Sequence, residues 1–431
     1  MLAACILCGA QYPLAAKPMR YRCTCGGLLE IIQSFGHVEA EKMKDLFHKR
    51  LGERHSAAAS GVWRYKELIA PDLPENMIVT RNEGNTGLYE APSVQAFVGI
   101  RRLWLKAQSE NPSGSFKDNG MTTAVSHGRS LGYTGFACTS TGNTSSSLAM
   151  YASTSGDSSL VLLPDHDISI NKVLQTTAFG AKVYAFPGSY DDGIKWLEAH
   201  AEDLGLYICN SVNPVRIEGQ KSIIYEIAQD LNWKLPDWIL LPGGALSNAA
   251  ALGKGLQDLF SLGFITKMPR VAIIQAEGAS PFHRMIAQSS CILLPEPCPH
   301  TAASALNIGN PPSWRKARWT LDRTNGVTAS VSDDEIMEAK ACIDRSGIGC
   351  EPASAAAVAG LRKLVLAGTI HRDETAVCLL TGHLLKDTDA IRAYHLNNHP
   401  LAGSLPLRNE IVHVNLDSDL RSRLSAATGR N

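Results

Sequence analysis

Short apolar runs alternate with helical patterns along most of this chain, and that alternation restricts the fold more than any other feature. The runs are RRLWLKA (101–107), GFACTST (135–141), SLVLLP (159–164), AKVYAFP (181–187), LYICNSV (206–212), WILLP (238–242), VAIIQAE (271–277) and AVCLLTG (376–382). Each is long enough for a strand and too short for a core helix. Several, WILLP above all, lack the alternation of a sheet with one wet face, so both faces need cover. Between them lie helix candidates at Ile217–Leu231, Asn248–Leu262, Ser332–Arg345 and Pro352–Leu366, the third opening on Ser332 and Glu335 at capping-box spacing. The expected class is therefore α/β, with parallel sheets covered by helices on both sides. A chain of 431 residues suits two or three such domains.

Charge narrows the partners. Lysine plus arginine and aspartate plus glutamate both number 41, so nothing favours a nucleic-acid backbone or an anionic membrane. Aromatic content of 6% argues against stacking platforms for single strands. No apolar run is long enough to span a bilayer, and MLAACILCGA lacks a basic n-region and a full h-region. A cytoplasmic location is the resulting expectation. Most of the 11 cysteines sit in apolar segments, as Cys209 and Cys378 do, and read as reduced, buried thiols. Cys5 and Cys8 with Cys23 and Cys25 differ. They form two knuckles, the second with a single intervening residue, and admit either a structural zinc ribbon or a degenerate one without metal. The end of the chain, RSRLSAATGRN, is polar and expected to be poorly ordered.

Chemistry enters with NPSGSFKDNGM, residues 111–121. Lys117 follows Ser113, Gly114 and Ser115, which permit a tight backbone path beside a flat ligand, and precedes Asp118 and Asn119, expected to cap a helix. A lysine amine becomes a nucleophile when held in place and partly desolvated. Alone it reads more readily as an exposed lysine at a helix start. STGNTSSSLAMYAS (140–153) follows an apolar run and opens a helix, a cradle for a carboxylate. WILLPGGALSN repeats the arrangement with Gly243 and Gly244 before a helix from about Asn248, a phosphate cradle that fits no dinucleotide or Walker pattern. A nucleophilic amine with two anion cradles suits pyridoxal phosphate beside an amino-acid carboxylate.

Taken together, EGNTGLYEAP, NPSGSFKDNGM, STGNTSSSLAMYAS, NSVNPVRIEGQKS, PDWILLPGG, IIQAEGASP, IGNPPSW, SDDEIMEA, EPASAAAVAGL and LLTGHLLKD make the chain resemble the threonine synthases, of the tryptophan-synthase-β (fold type II) group of pyridoxal-phosphate enzymes. The likeness runs to about residue 395. It implies two parallel-sheet three-layer domains with a small zinc-ribbon-like segment at residues 1–32. Residues 33–117 and 206–400 would form the large cofactor domain, 118–205 a small mobile one, and 401–431 a tail. Lys117 would be the Schiff-base lysine, with Phe116 beside it. Asn143 would face the cofactor's 3'-oxygen, Thr381 its ring nitrogen, and Gly243, Gly244, Ala245, Leu246, Ser247 and Asn248 its phosphate. Ser140, Thr141 and Thr144 would hold the substrate carboxylate; Asn210, Ser211 and Arg216 would grip the substrate's own phosphate. Small hydroxyls in EPASAAAVAGL are expected to be packing residues, and His383 invites an acid–base or a structural reading.

The resemblance implies a homodimer that converts O-phospho-L-homoserine and water to L-threonine and phosphate. Two departures bear on the substrate. Where the family has Gly-Asn-Ala-Gly-Asn, this chain has Gly244, Ala245, Leu246, Ser247 and Asn248, and Asn307 replaces an arginine. The rival readings are replacement or elimination on O-phosphoserine or another phosphorylated amino acid, and a non-catalytic binding paralogue.

Overall fold

The computed structural model describes residues 1–36, 38–165, 170–396, 407–409, 411 and 420. Met1–Asp387 form one compact unit and Thr388–Asn431 a second, in which the helix Thr388–His395 is described. Most of the expected tail lies outside the described residues.

Strands β1 (Leu2–Cys5), β2 (Gln11–Pro13) and β3 (Leu29–Ile32) make a small antiparallel sheet in the order β2-β1-β3. The chain then enters a second sheet with β4 (Leu88–Glu90) and β5 (Arg102–Ala107) and leaves it to build a third. That third sheet holds β6 (Gly135–Thr139), β7 (Ser158–Pro164), β8 (Lys182–Phe186) and β9 (Leu206–Ile208), all parallel, in the order β8-β7-β6-β9. Strands β10 (Trp238–Pro242), β11 (Arg270–Ala276), β12 (Val327–Val331) and β13 (Thr375–Leu380) complete the second sheet, ordered β12-β11-β10-β13-β5-β4. Only β4 runs antiparallel in it.

All eight expected strands form. Strands β4 and β12 were not expected, for the same reason. Each lies at an edge of its sheet, where LYE and VTASV need not be apolar on both faces. The expected helix at Ile217–Leu231 is two helices, Pro214–Gln220 and Ser222–Asp230, with Lys221 between them. Asn213 caps the first, its side chain accepting from Val215 N at 2.9 Å. The capping box at Ser332 and Glu335 forms as its spacing implies.

Every residue of WILLP is buried, which is why β10 sits centrally in its sheet. The larger apolar cluster gathers Trp63, Tyr65, Ile239, Leu241, Ile273 and Leu379 around that sheet. A second gathers Phe136, Val161, Tyr207 and Ile208 around the four-stranded sheet and takes in Ala3, Leu14 and Ile31 of the N-terminal segment. That segment is also tied through its backbone. His127 Nε2 lies 3.0 Å from Leu14 O, and the Lys254 and Lys316 ammoniums donate to Ile31 O and Leu29 O at 2.6 and 2.8 Å.

Strand order reverses once in each parallel sheet. From β6 the chain proceeds outward through β7 and β8, then returns to place β9 on the other side of β6. Likewise β11 and β12 extend one side of β10, and β13 takes the other. The carboxyl ends of strands at such reversals leave a crevice that helices cannot fill, the usual seat of ligands in open α/β sheets. Four of the motifs singled out above follow the ends of β6, β9, β10 and β13, and NPSGSFKDNGM follows β5, the neighbour of β13.

Candidate active site

Lys117 is held by a loop zipped to the end of β13. Phe116 N donates to Thr381 O at 3.0 Å and His383 N to Gly114 O at 2.9 Å. Gly114 has φ +83°, a backbone conformation that favours glycine, and a Cβ there would also crowd Lys386 Cε at 3.0 Å. The helix starts at Lys117 itself, with Phe116 at the N-cap and no side-chain cap. This corrects the expectation that Asp118 and Asn119 cap it. The Asp118 carboxylate instead reaches back to Ser113 N and Oγ at 2.7 and 2.6 Å and across to Ser147 Oγ at 2.5 Å. Asn119 Nδ2 donates to Ser222 Oγ at 2.9 Å. Asp118 thus fixes the loop, and Asn119 ties this helix to the start of the helix Ser222–Asp230.

The Lys117 amine makes no hydrogen bond or ion pair with the described residues, and it rests 4.3 Å from the centre of the Phe116 ring. Burial, reinforced by the charge of Arg216 and opposed by Glu351, brings its pKa down to about 7. The residue nonetheless keeps some accessible surface, as a group on the floor of a cleft does. An amine of this kind is available as a nucleophile near neutral pH.

Arg216 stands close because two glycines let helices cross tightly. A Cβ at Gly120 would come 2.7 Å from Arg216 O, and one at Gly219 would come 2.0 Å from Asn119 O. Arg216 is 2% exposed, and its Nη1 donates to Cys209 O at 2.8 Å. Its Nε and Nη2 are buried with no partner, and burial lowers the pKa of the guanidinium. Among the described residues no carboxylate pairs with it; its electrostatic neighbours include Cys209, Cys138, Tyr190 and Lys117. A buried cation with idle donors is costly unless an anion completes it. Ser211 Oγ beside it is also buried and unpartnered. Asn210 is differently employed: its Oδ1 accepts from Thr139 N at 3.0 Å and its Nδ2 donates to Thr139 O at 2.8 Å. Its amide extends the β6–β9 pairing by one rung.

Two further anion cradles form at helix starts. The helix Asn143–Ser155 begins at Gly142 with no side-chain cap. Among the described residues, the N–H groups of Thr141, Asn143 and Thr144 find no acceptor, while Ser140 Oγ accepts from Gly142 N at 3.1 Å. The helix Ser247–Ser261 likewise lacks a side-chain cap, and no N–H from Gly244 to Ala249 donates to a described residue. Asn248 Nδ2 is buried and unpartnered. Gly243 is buried, and a Cβ at Gly244 would lie 2.9 Å from Ala305 O. The departures in this loop are absorbed by the backbone. Leu246 takes φ +65° and sends its side chain into the apolar cluster, and Ser247 lies in the first helical turn, where glycine is not required. Asn307, in the adjoining loop, is exposed. Ile217, next to Arg216, packs on Ala250 and Ala251 of this helix, which brings the glycine loop to the same site.

At the end of β13, Thr381 Oγ1 lies 3.0 Å from Ser354 Oγ, which also accepts from Gly382 N at 2.9 Å. Ser354 thus belongs to the site rather than to packing alone. Asn143 Nδ2 donates to both oxygens of the buried Glu351 at 2.9 and 3.1 Å, leaving its Oδ1 unpartnered. His383 Nδ1 accepts from Leu385 N at 3.1 Å and caps a turn, which favours its structural reading. Residues missed from the sequence are Glu351 and Tyr190. The first had a signal: an acid opening an otherwise apolar, small-residue helix. Tyr190 had none, being an aromatic at an ordinary helix start.

The four N-terminal cysteines also converge. Their Sγ atoms lie within 4.8 Å of one another, with Cys5–Cys25 at 3.4 Å and Cys8–Cys23 at 3.5 Å. The tight second knuckle closes because Gly26, at φ +84°, turns the chain directly after Cys25. A Cβ at Gly27 would strike Cys5 Sγ at 2.5 Å.

Residues 79–382 match the family described as pyridoxal-phosphate dependent enzyme. The chain is 40% identical over 395 residues to the threonine synthase of Methanocaldococcus jannaschii, covering 91% of this chain and 95% of that protein. It is 33% identical over 388 residues to threonine synthase 2, chloroplastic, of Arabidopsis thaliana, covering 88% of this chain and 75% of that one. The crystal structure of Escherichia coli threonine synthase superposes with TM-score 0.71 over 98% of this chain and 94% of its own, at 15% identity. Maize serine racemase superposes with TM-score 0.60 over 85% of this chain and 98% of its own, at 17% identity. At such identities the two structures show the shared fold alone.

Proposed function

Because the chain belongs to the pyridoxal-phosphate dependent enzymes and, among them, to the threonine synthases, we infer that it converts O-phospho-L-homoserine and water to L-threonine and inorganic phosphate. The observation that carries the choice of a phosphorylated substrate is Arg216, a buried guanidinium with two idle donors and no carboxylate paired with it among the described residues. An amino acid without phosphate would leave it unpaired.

The donor set fits pyridoxal phosphate. Lys117 supplies the amine, the N–H groups from Gly244 to Ala249 with Asn248 Nδ2 suit a phosphate, and the Thr381–Ser354 hydroxyl pair suits a neutral ring nitrogen. When bound, the cofactor contributes an aldehyde for the substrate amine and a conjugated ring that accommodates the electron pair left at Cα. Lys117 Nζ takes the α-proton and then a β-proton, the pair from the Cβ–H bond expels phosphate from Cγ, and protons return to Cγ and, once the oxygen of water has bonded to Cβ, to Cα, the last proton leaving with phosphate. The N–H groups of Thr141, Asn143 and Thr144, with Ser140, hold the substrate carboxylate. Arg216 and Ser211 hold the γ-phosphate, and Asn210 acts by fixing β6 to β9 beneath them. Glu351 orients the Asn143 amide and favours the protonated form of Lys117.

The test is a panel of O-phosphohomoserine, O-phosphoserine, threonine and serine, each incubated with the holoenzyme. Phosphate and threonine from the first, well above the others, support the assignment. Turnover of another substrate instead establishes a rival chemistry, and a colourless protein that ignores added cofactor establishes a binding paralogue.

The cysteine cluster fits a structural zinc, since the sulfurs of a tetrahedral thiolate site stand about 3.8 Å apart when each bond is about 2.3 Å. Tyr12 Oη at 3.0 Å from Cys23 Sγ and Leu7 N at 3.4 Å from Cys5 Sγ offer outer support to thiolates. Purified protein is expected to hold about one zinc ion per chain, lost in Cys8→Ser together with thermal stability. Metal-free protein of unchanged stability would exclude it. The resemblance further carries the proposals of a homodimer, of a mobile small domain at 118–205 and of a cytoplasmic location. Among the described residues, no helix is long and apolar enough to cross a membrane.

A further inference from the structure

We propose that the hydroxyl of Tyr190 is a specificity-determining donor of the anion pocket around Arg216, selecting substrates that carry a phosphate monoester. The proposal rests on the assignment of Arg216 to the substrate phosphate and adds a residue to it.

Tyr190 opens the helix Tyr190–His200, whose start is fixed twice. Ser189 Oγ accepts from Asp192 N at 3.2 Å, and the Asp192 carboxylate accepts from Ser189 N at 2.9 Å. Gly193 presses this first turn onto the end of β6, for a Cβ there would lie 2.7 Å from Thr139 Cγ2. The phenol is thereby delivered to the β6–β9 reversal, where it stands 3.2 Å from Asn210 Nδ2. The charge of Arg216 acts on it, and the Ser211 hydroxyl is near enough to interact with it as a weak hydrogen-bonding group, beyond ordinary hydrogen-bond geometry.

Hydrogen-bond valence then assigns its proton. Asn210 Nδ2 is a donor only, so the phenol oxygen accepts from it and its own hydrogen remains for another acceptor. Asn210 Oδ1 is already taken by Thr139 N. The flanking Cys138 and Cys209 thiols stay neutral, because burial pushes the first up to about 12 and the second higher still. Burial raises the phenol as well, so it remains a neutral donor at physiological pH. Three donor groups therefore converge: the guanidinium through Nε and Nη2, and the hydroxyls of Ser211 and Tyr190, which without an anion can turn their hydrogens only toward one another. Three groups around one charge suit the oxygens of a tetrahedral phosphate, and part of Tyr190 remains accessible to it.

The test is Tyr190→Phe, which keeps the ring and removes only the hydroxyl. Calorimetric titration of the holoenzyme with inorganic phosphate is expected to show affinity weakened about ten-fold, the loss of one hydrogen bond to a charged group. KM for O-phosphohomoserine should rise by a similar factor, with kcat little changed. A folded variant with unchanged phosphate affinity and KM overturns the proposal, as does one that loses kcat alone. Should the wild type not turn over O-phosphohomoserine, the substrate assignment falls, while the phosphate titration of both proteins still decides the role of Tyr190.

Discussion

Lys117→Ala is expected to lower the turnover of O-phosphohomoserine by about 10³-fold or more, because in the proposed function the side chain both bonds the cofactor and moves protons at the substrate. Borohydride treatment of the wild type should add the cofactor's mass at this residue and at no other. A variant keeping a tenth of wild-type activity would remove Lys117 from the chemistry. The low pKa gives the same residue a second signature. Its folded value of about 7 lies below the ordinary 10.5, so between these two the unfolded chain binds more protons than the native one. Stability of the cofactor-free protein should therefore rise with pH across that window through this group, and the cost of burying the charge is fully present below pH 7. Lys117→Met should remove that rise and stabilise the cofactor-free protein at pH 6. Urea unfolding of both proteins at pH 6 and pH 9 measures it, and parallel pH dependences would contradict the lowered pKa. Capture of cofactor by cofactor-free protein needs the neutral amine, so its rate should climb through pH 7 rather than near 10.5.

Arg216→Met is expected to reduce kcat/KM for O-phosphohomoserine by about 10²- to 10³-fold, the usual range for deleting a buried charge that binds an anion through several hydrogen bonds. Methionine keeps most of the packing volume, so the loss reports the charge. The same change should stabilise the ligand-free protein by about 1–3 kcal/mol, since it removes a buried cation whose Nε and Nη2 have no partner. Lower activity with higher thermal stability is a combination that a merely structural arginine would not give. If the variant is less stable and its affinity for inorganic phosphate is unchanged, Arg216 is not an anion site. Arg216→Lys should recover little, because an ammonium cannot present the guanidinium's planar fork.

Much of the site was legible because its parts are local. A glycine pair after a strand, a run of small hydroxyls before a helix, and a lysine after a tight turn each create their geometry within a few residues. Gly243–Asn248, Ser140–Thr144 and Lys117 accordingly stand at helix starts as their neighbours imply, and the first N–H groups of the two cradle helices find no acceptor among the described residues. Asp118 was misread because its partners are decided elsewhere: local propensity favours an N-cap, but Ser113 and Ser147 offer its carboxylate three hydrogen bonds. Asn210 shows the same limit. Its residue type suits a ligand contact, and only the juxtaposition of β6 and β9 commits its amide to Thr139.

The amino-acid order alone determined the class of fold, the position of nearly every buried strand and the chemistry of the reactive amine, because apolar periodicity and turn residues act over short distances. Tertiary structure alone decided which side chains share the site. Glu351 meets Asn143 across 208 positions, Tyr190 reaches Asn210, and Arg216 approaches Lys117 only where Gly120 and Gly219 let two helices cross. Such meetings depend on the order of strands within each sheet and on the close approach of backbones, and neither leaves a periodic trace along the chain.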